Sequence, residues 1–242
     1  MKIIIIRHGD PNYALDCLTE QGKKEASLLA DYLKDEKIDY VYVSPLGRAQ
    51  ETCNYYLNKT NKSATTYEWL KEFGNGMTYE YITGMRHGWD FMPDYWTKND
   101  IFFDKDNWMN YEDYKKSGLD LEYKRVVSEF DKLIEKHGYK RNNNLYEVTN
   151  SSHDTIAFFC HFGLESVLLS RLLNVSPFIL WHQTCALSTS VTRVVTEERQ
   201  KGIASFRMIE FGCQNHLRNA NEDSTTSALF KECYEDIEKK YI

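Results

Sequence analysis

Two continuous apolar runs stand out along the chain, and each of them stops abruptly at a histidine. Residues 3–6 are four isoleucines followed by Arg7 and His8, and the apolar run 156–160 is followed by His161. A short run that is apolar at every position is typical of a parallel strand that is buried on both faces. We therefore predict that both runs are central strands of one sheet.

Helical patterns alternate with these strands. Thr19 is a suitable N-cap for a helix whose apolar residues recur up to Leu33, and Ser44 with Pro45 indicates a helix start after a strand over 38–43. The same reasoning predicts strands at 65–69 and 145–149, helices around 126–134 and 164–173, a hairpin of 190–195 with 203–211, and a terminal helix from about 225. This alternation predicts an α/β fold, a three-layer α/β/α sandwich with a mostly parallel central sheet.

The segment from about 75 to 118 breaks the alternation. Neither a helical nor a strand period holds there, and aromatic residues are frequent. A disordered linker would not carry so many rings. We therefore predict one domain over residues 1–242, with an aromatic-rich cap inserted at about 75–118.

Charge and cysteine content narrow the functional classes. The 242 residues carry a net charge of -6, which argues against nucleic acid or an anionic membrane surface as a partner. The six cysteines are scattered without a Cys-x-x-Cys pair, so we expect reduced thiols in a cytoplasmic protein. The first apolar run ends at Arg7, too early for a signal peptide, and no stretch is long enough to span a membrane.

Reactive side chains collect where the predicted strands end. Parallel strands share a carboxyl edge, so His8 and His161 should meet there. Arg48 lies in the first turn of the helix after another strand, where free backbone N–H groups attract anions, and Arg7 adds a second cation. Such a pocket suits a dianionic phosphoryl group, and a nearby acid such as Glu72 would protonate the leaving oxygen.

The order and spacing of these motifs resemble the histidine phosphatase superfamily, branch 1, also called phosphoglycerate mutase-like. The matching pieces are Arg7-His8-Gly9, Leu18-Thr19-x-x-Gly22, Ser44-Pro45-x-x-Arg48-Ala49-x-x-Thr52, Leu70-x-Glu72 and His161. The resemblance implies a phosphorylated nucleophile, His8, and a proton donor, Glu72. It also implies that four side chains bind the phosphoryl group: Arg7, His8, Arg48 and His161. It implies no metal and no other cofactor.

The chain departs from the family pattern at several places. The late motif reads His161-Phe162-Gly163 where the family usually has His-Gly-Gly, and the residues after Glu72 match Gly-x-x-Glu-Gly only in part. The loop 10–17 is shorter than the corresponding loop of the family's mutases. We therefore expect a metal-independent phosphomonoester hydrolase that works through phosphohistidine on a small phosphorylated metabolite. The alternatives are a phosphoglycerate mutase and a non-catalytic phosphate-binding module.

Two of these roles, the second histidine and the acid, have competing candidate residues. His153 competes with His161 as the second histidine, although it lies in a polar turn, and Glu51 and Glu68 are alternative acids. His182 is interpreted as a core or rim residue. A zinc site would draw on a different set of side chains: His8, Asp10, His153 and His161.

The expected partner is a small-molecule phosphomonoester, and a homodimer is a candidate assembly. The cap segment offers many rings but few cations: Arg86, Lys98, Lys105, Lys115 and Lys116. This composition favours a substrate with an apolar or planar leaving group over a small sugar acid.

Overall fold

The computed structural model describes residues 1–74, 87–227 and 229. The strands within these ranges are β1 Lys2–Arg7, β2 Pro11–Asn12, β3 Cys17–Leu18, β4 Tyr40–Val43, β5 Thr65–Thr66, β6 Tyr139–Asn142, β7 Leu145–Val148, β8 Thr155–Cys160, β9 Val191–Gln200 and β10 Ile203–Cys213. The α-helices are α1 Glu20–Leu33, α2 Gly47–Thr60, α3 Pro93–Trp96, α4 Glu112–Ser117, α5 Leu119–Lys136, α6 Phe162–Leu173, α7 Pro177–Gln183 and α8 Asn215–Asn219. Short 3₁₀ turns cover Glu68–Leu70, Asp100–Phe103 and Trp108–Asn110.

The central sheet is mixed, with a parallel core. Its strands lie in the order β5-β4-β8-β1-β9-β10-β7-β6, and the first four run parallel to one another. The predicted hairpin β9–β10 is confirmed and joins β1 in the antiparallel direction, and β7 and β6 extend that half. The predicted α/β class and parallel core are confirmed.

The isoleucine run of β1 shows how the layers form. Successive side chains of a strand point to opposite faces, so Ile4 and Ile6 pack with apolar residues of α1 and α2. Ile3 and Ile5 pack instead with α5 and α6 on the other face. All four side chains are fully buried, and each such burial contributes roughly 2 kcal/mol. Two covered faces explain why the run has no polar position.

Some of the predicted helix and strand boundaries are confirmed and others are wrong. Thr19 caps α1 as predicted, because its hydroxyl accepts the Gly22 N–H at 3.0 Å. The assignment of Ser44 as a helix cap is wrong, since α2 begins at Gly47 with Leu46 in the cap position. The strand predicted at 65–69 is shorter, with β5 ending at Thr66 before a 3₁₀ turn. The predicted terminal helix mostly lies outside the described residues.

The aromatic segment contributes to the main core where it is described. Residues 75–86 lie outside the described ranges, and 87–118 form short helical turns and loops. The buried rings of this part belong to the same apolar cluster as α5 and α6: Trp89, Phe91, Trp96, Phe102, Trp108 and Tyr114. Its action as a cap over a site stays a prediction. No helix in the described ranges is long and apolar enough to cross a membrane.

Candidate active site

The strand register brings the two predicted histidines together. Arg7 of β1 lies opposite Cys160 of β8 in the parallel ladder, so His8 and His161 leave neighbouring strands at the same level. Their ring centroids are 5.1 Å apart. Val43 of β4 lies opposite Phe159, which places Ser44 at the same edge. This carboxyl edge of the parallel strands is the candidate active site.

The hydrogen bonds of His8 fix its tautomer. Nδ1 lies 2.7 Å from the Gly9 carbonyl oxygen, which can only accept, so Nδ1 carries the proton. Arg48 donates from Nε to Nε2 of His8 at 3.3 Å, so Nε2 presents a lone pair. Burial, reinforced by the cations of Arg7 and Arg48, lowers the pKa of His8 well below its usual value. The ring is therefore neutral at neutral pH, with Nε2 unprotonated.

Two nearly buried arginines flank this ring. Arg7 and Arg48 are 6% and 7% exposed. Arg7 donates from Nη1 to the Ala186 carbonyl at 2.5 Å, while its Nε has no partner within the described part of the chain. Thr52 links the two arginine motifs, because its hydroxyl accepts the Gly9 N–H and donates to the Arg48 carbonyl. Unpaired guanidinium N–H groups at this depth favour an anionic ligand.

His161 is held by Ser44, the serine at the end of β4. Ser44 Oγ lies 2.8 Å from Nε2 of His161 and also accepts the Leu46 N–H at 3.2 Å. Nδ1 of His161 is buried and has no partner among the described residues. Burial, followed by the electrostatic influence of His8, Arg48 and Arg7, lowers the pKa of His161 well below its usual value. If Nε2 of the neutral His161 ring accepts the hydroxyl proton of Ser44, the ring carries its own proton on Nδ1.

Glu72 lies at the amino terminus of α6, next to His161. Its Oε1 accepts the backbone N–H groups of Phe73 at 2.9 Å and Leu164 at 3.0 Å. Gly163 makes this approach feasible, because a Cβ there would lie 2.7 Å from Oε1 and would overlap the six-membered ring of Trp89. The structure thus places Glu72 at the start of the helix that His161 caps, with an indole ring beside it.

The competing histidine assignments do not share this geometry. His153 is exposed and precedes β8, whereas His161 follows it, so roughly 20 Å of strand separates them. The zinc set that includes His153 is therefore not brought together. His182 stacks on Phe178 with ring centroids 4.0 Å apart, consistent with a core or rim residue.

The alternative acids also have other roles. Glu68 is largely exposed and pairs with Lys71 at 2.6 Å. Glu51 accepts the Leu18 N–H at 2.7 Å, so it anchors the chain just before α1.

Sequence reasoning missed two acidic residues at this edge. Asp16, in the loop after His8, pairs with Arg48 at 2.6 Å. Glu165 lies in the first turn of α6 and is 1% exposed, and neither carboxyl oxygen has a hydrogen-bond partner among the described residues. A signal for Glu165 existed, because it is the one acidic residue of α6 and lies four residues after His161. Asp16 gave no signal, since acidic loop residues are common.

Glu165→Gln should stabilise the protein increasingly as the pH rises. Burial raises the pKa of Glu165 to about 7, although Thr192 and Arg7 offset part of this increase. Between the pKa of this carboxyl in the unfolded chain and its raised pKa in the folded protein, the folded state keeps a proton that the unfolded chain has lost. The free energy of unfolding of the wild type therefore falls as the pH rises through this range. Glutamine is neutral throughout, so the difference in unfolding free energy should widen by roughly 2 kcal/mol between about pH 5 and about pH 8. Urea denaturation measures this difference, with exposed Glu135→Gln as the control; a difference that does not change with pH would contradict the assignment.

Comparison with known proteins places this chain in a family. The sequence pattern of the histidine phosphatase superfamily (branch 1) matches residues 3–208. No curated protein matches the chain.

Solved structures share the fold at low sequence identity. A phosphoserine phosphatase from Entamoeba histolytica in complex with 3-phosphoglyceric acid is 20% identical, with a TM-score of 0.57 over 89% of this chain and 98% of that one. An alpha-ribazole phosphatase from Shigella flexneri is 20% identical, with a TM-score of 0.54 over 88% and 97%. A phosphoglycerate mutase from Bacillus anthracis is 18% identical, with a TM-score of 0.61 over 92% and 97%. The neighbours thus include both phosphatases and a mutase, and the family match over most of the sequence shows that this chain belongs to the histidine phosphatase superfamily, branch 1.

Proposed function

We propose that the chain is a metal-independent phosphomonoester hydrolase that forms a phosphohistidine at His8. One observation carries the proposal: Nε2 of the buried His8 ring carries a lone pair beside the Arg48 guanidinium, and this tautomer is fixed by the Gly9 carbonyl on one side and by Arg48 on the other. A group used only to bind phosphate would better donate a proton than offer a lone pair. The geometry therefore favours nucleophilic attack.

The first chemical step transfers the phosphoryl group to the enzyme. Nε2 of His8 attacks phosphorus, and the bond from phosphorus to the ester oxygen breaks with its electron pair going to that oxygen. Glu72 supplies the proton that the leaving oxygen needs. Both hydrogen bonds of Glu72 within the described residues reach Oε1, so Oε2 is the oxygen that would pass a proton to the leaving group.

The surrounding donors stabilise the transferring group. Three side chains would contact its equatorial oxygens: Arg7, Arg48 and Nδ1–H of His161. Two guanidinium charges match a dianion, so the proposed step needs no metal to neutralise charge. In the second step a water molecule gives its proton to the Glu72 carboxylate and attacks phosphorus, and the bond to Nε2 of His8 breaks to release phosphate.

Hydrolysis is favoured over the mutase alternative by the loop that follows Gly9. Residues 10–17 contain two aspartates and no lysine or arginine, and Asp16 faces Arg48. A mutase must retain a phosphoglycerate by its carboxylate while the phosphoenzyme waits, and an acidic loop repels that carboxylate. Water should then reach phospho-His8 before the intermediate rebinds in the other orientation.

The rings near Glu72 support a substrate with an apolar or planar leaving group. Trp89 packs against Gly163 and Glu72, and the exposed ring of His87 stacks on it with centroids 4.9 Å apart. The described lysines of this segment are partly neutralised, since Lys98 and Lys105 pair with neighbouring aspartates. Stacking and area burial would therefore contribute more than charge to recognition of the leaving group.

The experiment measures phosphate release with a chelator present. The protein should hydrolyse p-nitrophenyl phosphate in excess EDTA, and a panel of cellular phosphomonoesters ranked by kcat/KM should favour aromatic or nucleotide-like esters over small sugar acids. In parallel, 3-phosphoglycerate and bisphosphoglycerate are incubated with the protein, and 2-phosphoglycerate is followed through coupled enolase. Formation of 2-phosphoglycerate faster than phosphate release would establish the mutase instead. Binding of phosphate without hydrolysis of any ester would support the remaining alternative, a non-catalytic phosphate-binding module.

A further inference from the structure

Asp16 touches Arg48 on the side of the guanidinium that faces away from His8. Its Oδ1 accepts from Nη1 of Arg48 at 2.6 Å, and its Oδ2 accepts the backbone N–H of Gly47 at 2.7 Å. Both carboxylate oxygens are thus used, one by the side chain and one by the first turn of α2. The Arg48 side chain is only 9% exposed, whereas that of Asp16 is 41% exposed.

The geometry of a guanidinium separates this contact from the phosphoryl site. Its planar group presents N–H bonds along distinct edges, and Nε and Nη2 share the edge that can grip two oxygens at once. Nε of Arg48 already points at Nε2 of His8, so this edge faces the place where phosphorus would bind. Asp16 holds Nη1 and therefore keeps the Nε–Nη2 edge turned toward His8, where phosphoryl oxygens would replace Nε2 of His8 as the acceptors.

The backbone around Asp16 is arranged for this contact. Asp16 has φ of +48°, a left-handed conformation that aspartate tolerates better than most residues. A Cβ on Gly47 would overlap the Asp16 carbonyl oxygen, so the glycine permits the loop to approach α2. Tyr13 of the same loop places its ring 5.4 Å from Cζ of Arg48. Two side chains of the loop thus converge on one arginine.

We propose that Asp16 is a positioning residue that orients Arg48 so that its Nε–Nη2 edge grips the phosphoryl group on His8; its kinetic consequence rests on the proposed function. Arginine has several rotatable bonds, and a fork that is held in place loses less freedom when phosphate arrives. The contact also ties the loop after His8 to the helix that carries Arg48, so the two halves of the pocket are held together.

Asp16→Asn tests the proposal with little change in shape. Asparagine keeps the side-chain size and the tolerance for a positive φ, but it has one acceptor oxygen where two donors converge. Its NH₂ group must face either Gly47 N–H or Nη1 of Arg48. We expect kcat for p-nitrophenyl phosphate to fall about tenfold, because a misplaced charge clamp loses transition-state contacts. KM should not rise, since removing a negative charge near the pocket favours a dianion.

A matched control breaks an equivalent ion pair elsewhere. Asp131 of α5 pairs with Arg171 at 2.6 Å, and Arg171 lies ten residues beyond His161, roughly 15 Å along α6. Asp131→Asn should leave kcat unchanged. A kcat that is unchanged or raised in Asp16→Asn would overturn the proposal, and a raised value would show that the carboxylate competes with the phosphoryl group.

A second measurement needs no turnover and separates this inference from the proposed function. Arginine Nε–H signals are recorded by ¹⁵N–¹H NMR spectroscopy, and Arg48→Lys identifies the Arg48 signal by its loss. In Asp16→Asn that signal should exchange with water about tenfold faster than in the wild type, because the side chain is no longer held at Nη1. An unchanged exchange rate would overturn the positioning role. A wild type without turnover would contradict the proposed function alone, and the NMR result would still decide the role of Asp16.

Discussion

His8→Ala should remove essentially all turnover, with kcat/KM falling by at least about a thousandfold. The substitution deletes the only side-chain atom of the protein that forms a bond to phosphorus in the proposed reaction. Neither Arg7 nor Arg48 can replace it, because a guanidinium stays protonated and has no lone pair to offer. The loss should therefore appear in kcat for every phosphomonoester, whatever its leaving group. Phosphate release from p-nitrophenyl phosphate and from an alkyl phosphate measures it.

The phosphoenzyme provides a second readout of the same prediction. Rapid acid-free quenching of the wild type during turnover should trap a phosphoryl group that is labile in acid and stable in base, as expected for a bond from phosphorus to nitrogen. His8→Ala should trap none. His153→Ala is the matched control, because this exposed histidine lies at the opposite end of β8 and should keep full activity and full labelling.

The alanine variant must also be shown to be folded. His8 is 2% exposed and makes two hydrogen bonds, so its removal costs stability as well as activity. Inorganic phosphate should still raise the melting temperature of the variant, because both arginines and His161 remain to bind it. Full activity in His8→Ala, or an acid-stable label on a serine, would eliminate His8 as the nucleophile.

The meeting of His8 and His161 could be predicted because it depends on topology alone. A strand apolar at every position must be buried on both faces, and adjacent buried parallel strands end at one edge. The strand register sets the distance of 5.1 Å between the two ring centroids, but the prediction that the histidines meet does not depend on it. Glu72 is different, since its distance from the histidines depends on a 3₁₀ turn and on the absence of a side chain at Gly163. The motif suggested its role, but the strand pattern alone did not.

Ser44 shows why local signals were not sufficient. Serine followed by proline is a strong start signal for a helix, and here α2 starts three residues later. The hydroxyl instead bonds to His161, a residue more than a hundred positions away in the sequence. A serine hydroxyl can cap a helix or can bond to a distant residue that the tertiary structure brings close. The local sequence around the serine does not reveal which distant residue that is. The same limit applies to Asp16, whose two partners lie in the turn that begins α2.

Glu72→Gln should slow the phosphorylation step by about a hundredfold for an alkyl phosphate and much less for p-nitrophenyl phosphate. An alkoxide is a poor leaving group and needs a proton as the bond breaks, whereas nitrophenolate is stable as an anion. Glutamine keeps the oxygen that accepts the N–H groups of Phe73 and Leu164, so the side chain should stay at the start of α6. The substitution changes the other carboxyl oxygen, Oε2, into an amide NH₂ group, which cannot protonate the leaving oxygen.

The comparison must be made in kcat/KM, which reports the steps up to the first irreversible one. Glu72 also takes a proton from water during dephosphorylation, so kcat can fall for both substrates if that second step is limiting. The ratio of kcat/KM values for the two esters removes this shared effect. Glu68→Gln is the control, because Glu68 precedes Glu72 by four residues, pairs with Lys71 at the surface and should leave the ratio unchanged. Equal losses of kcat/KM on both esters would show that Glu72 only supports the pocket, and the proton would then have to come from another group.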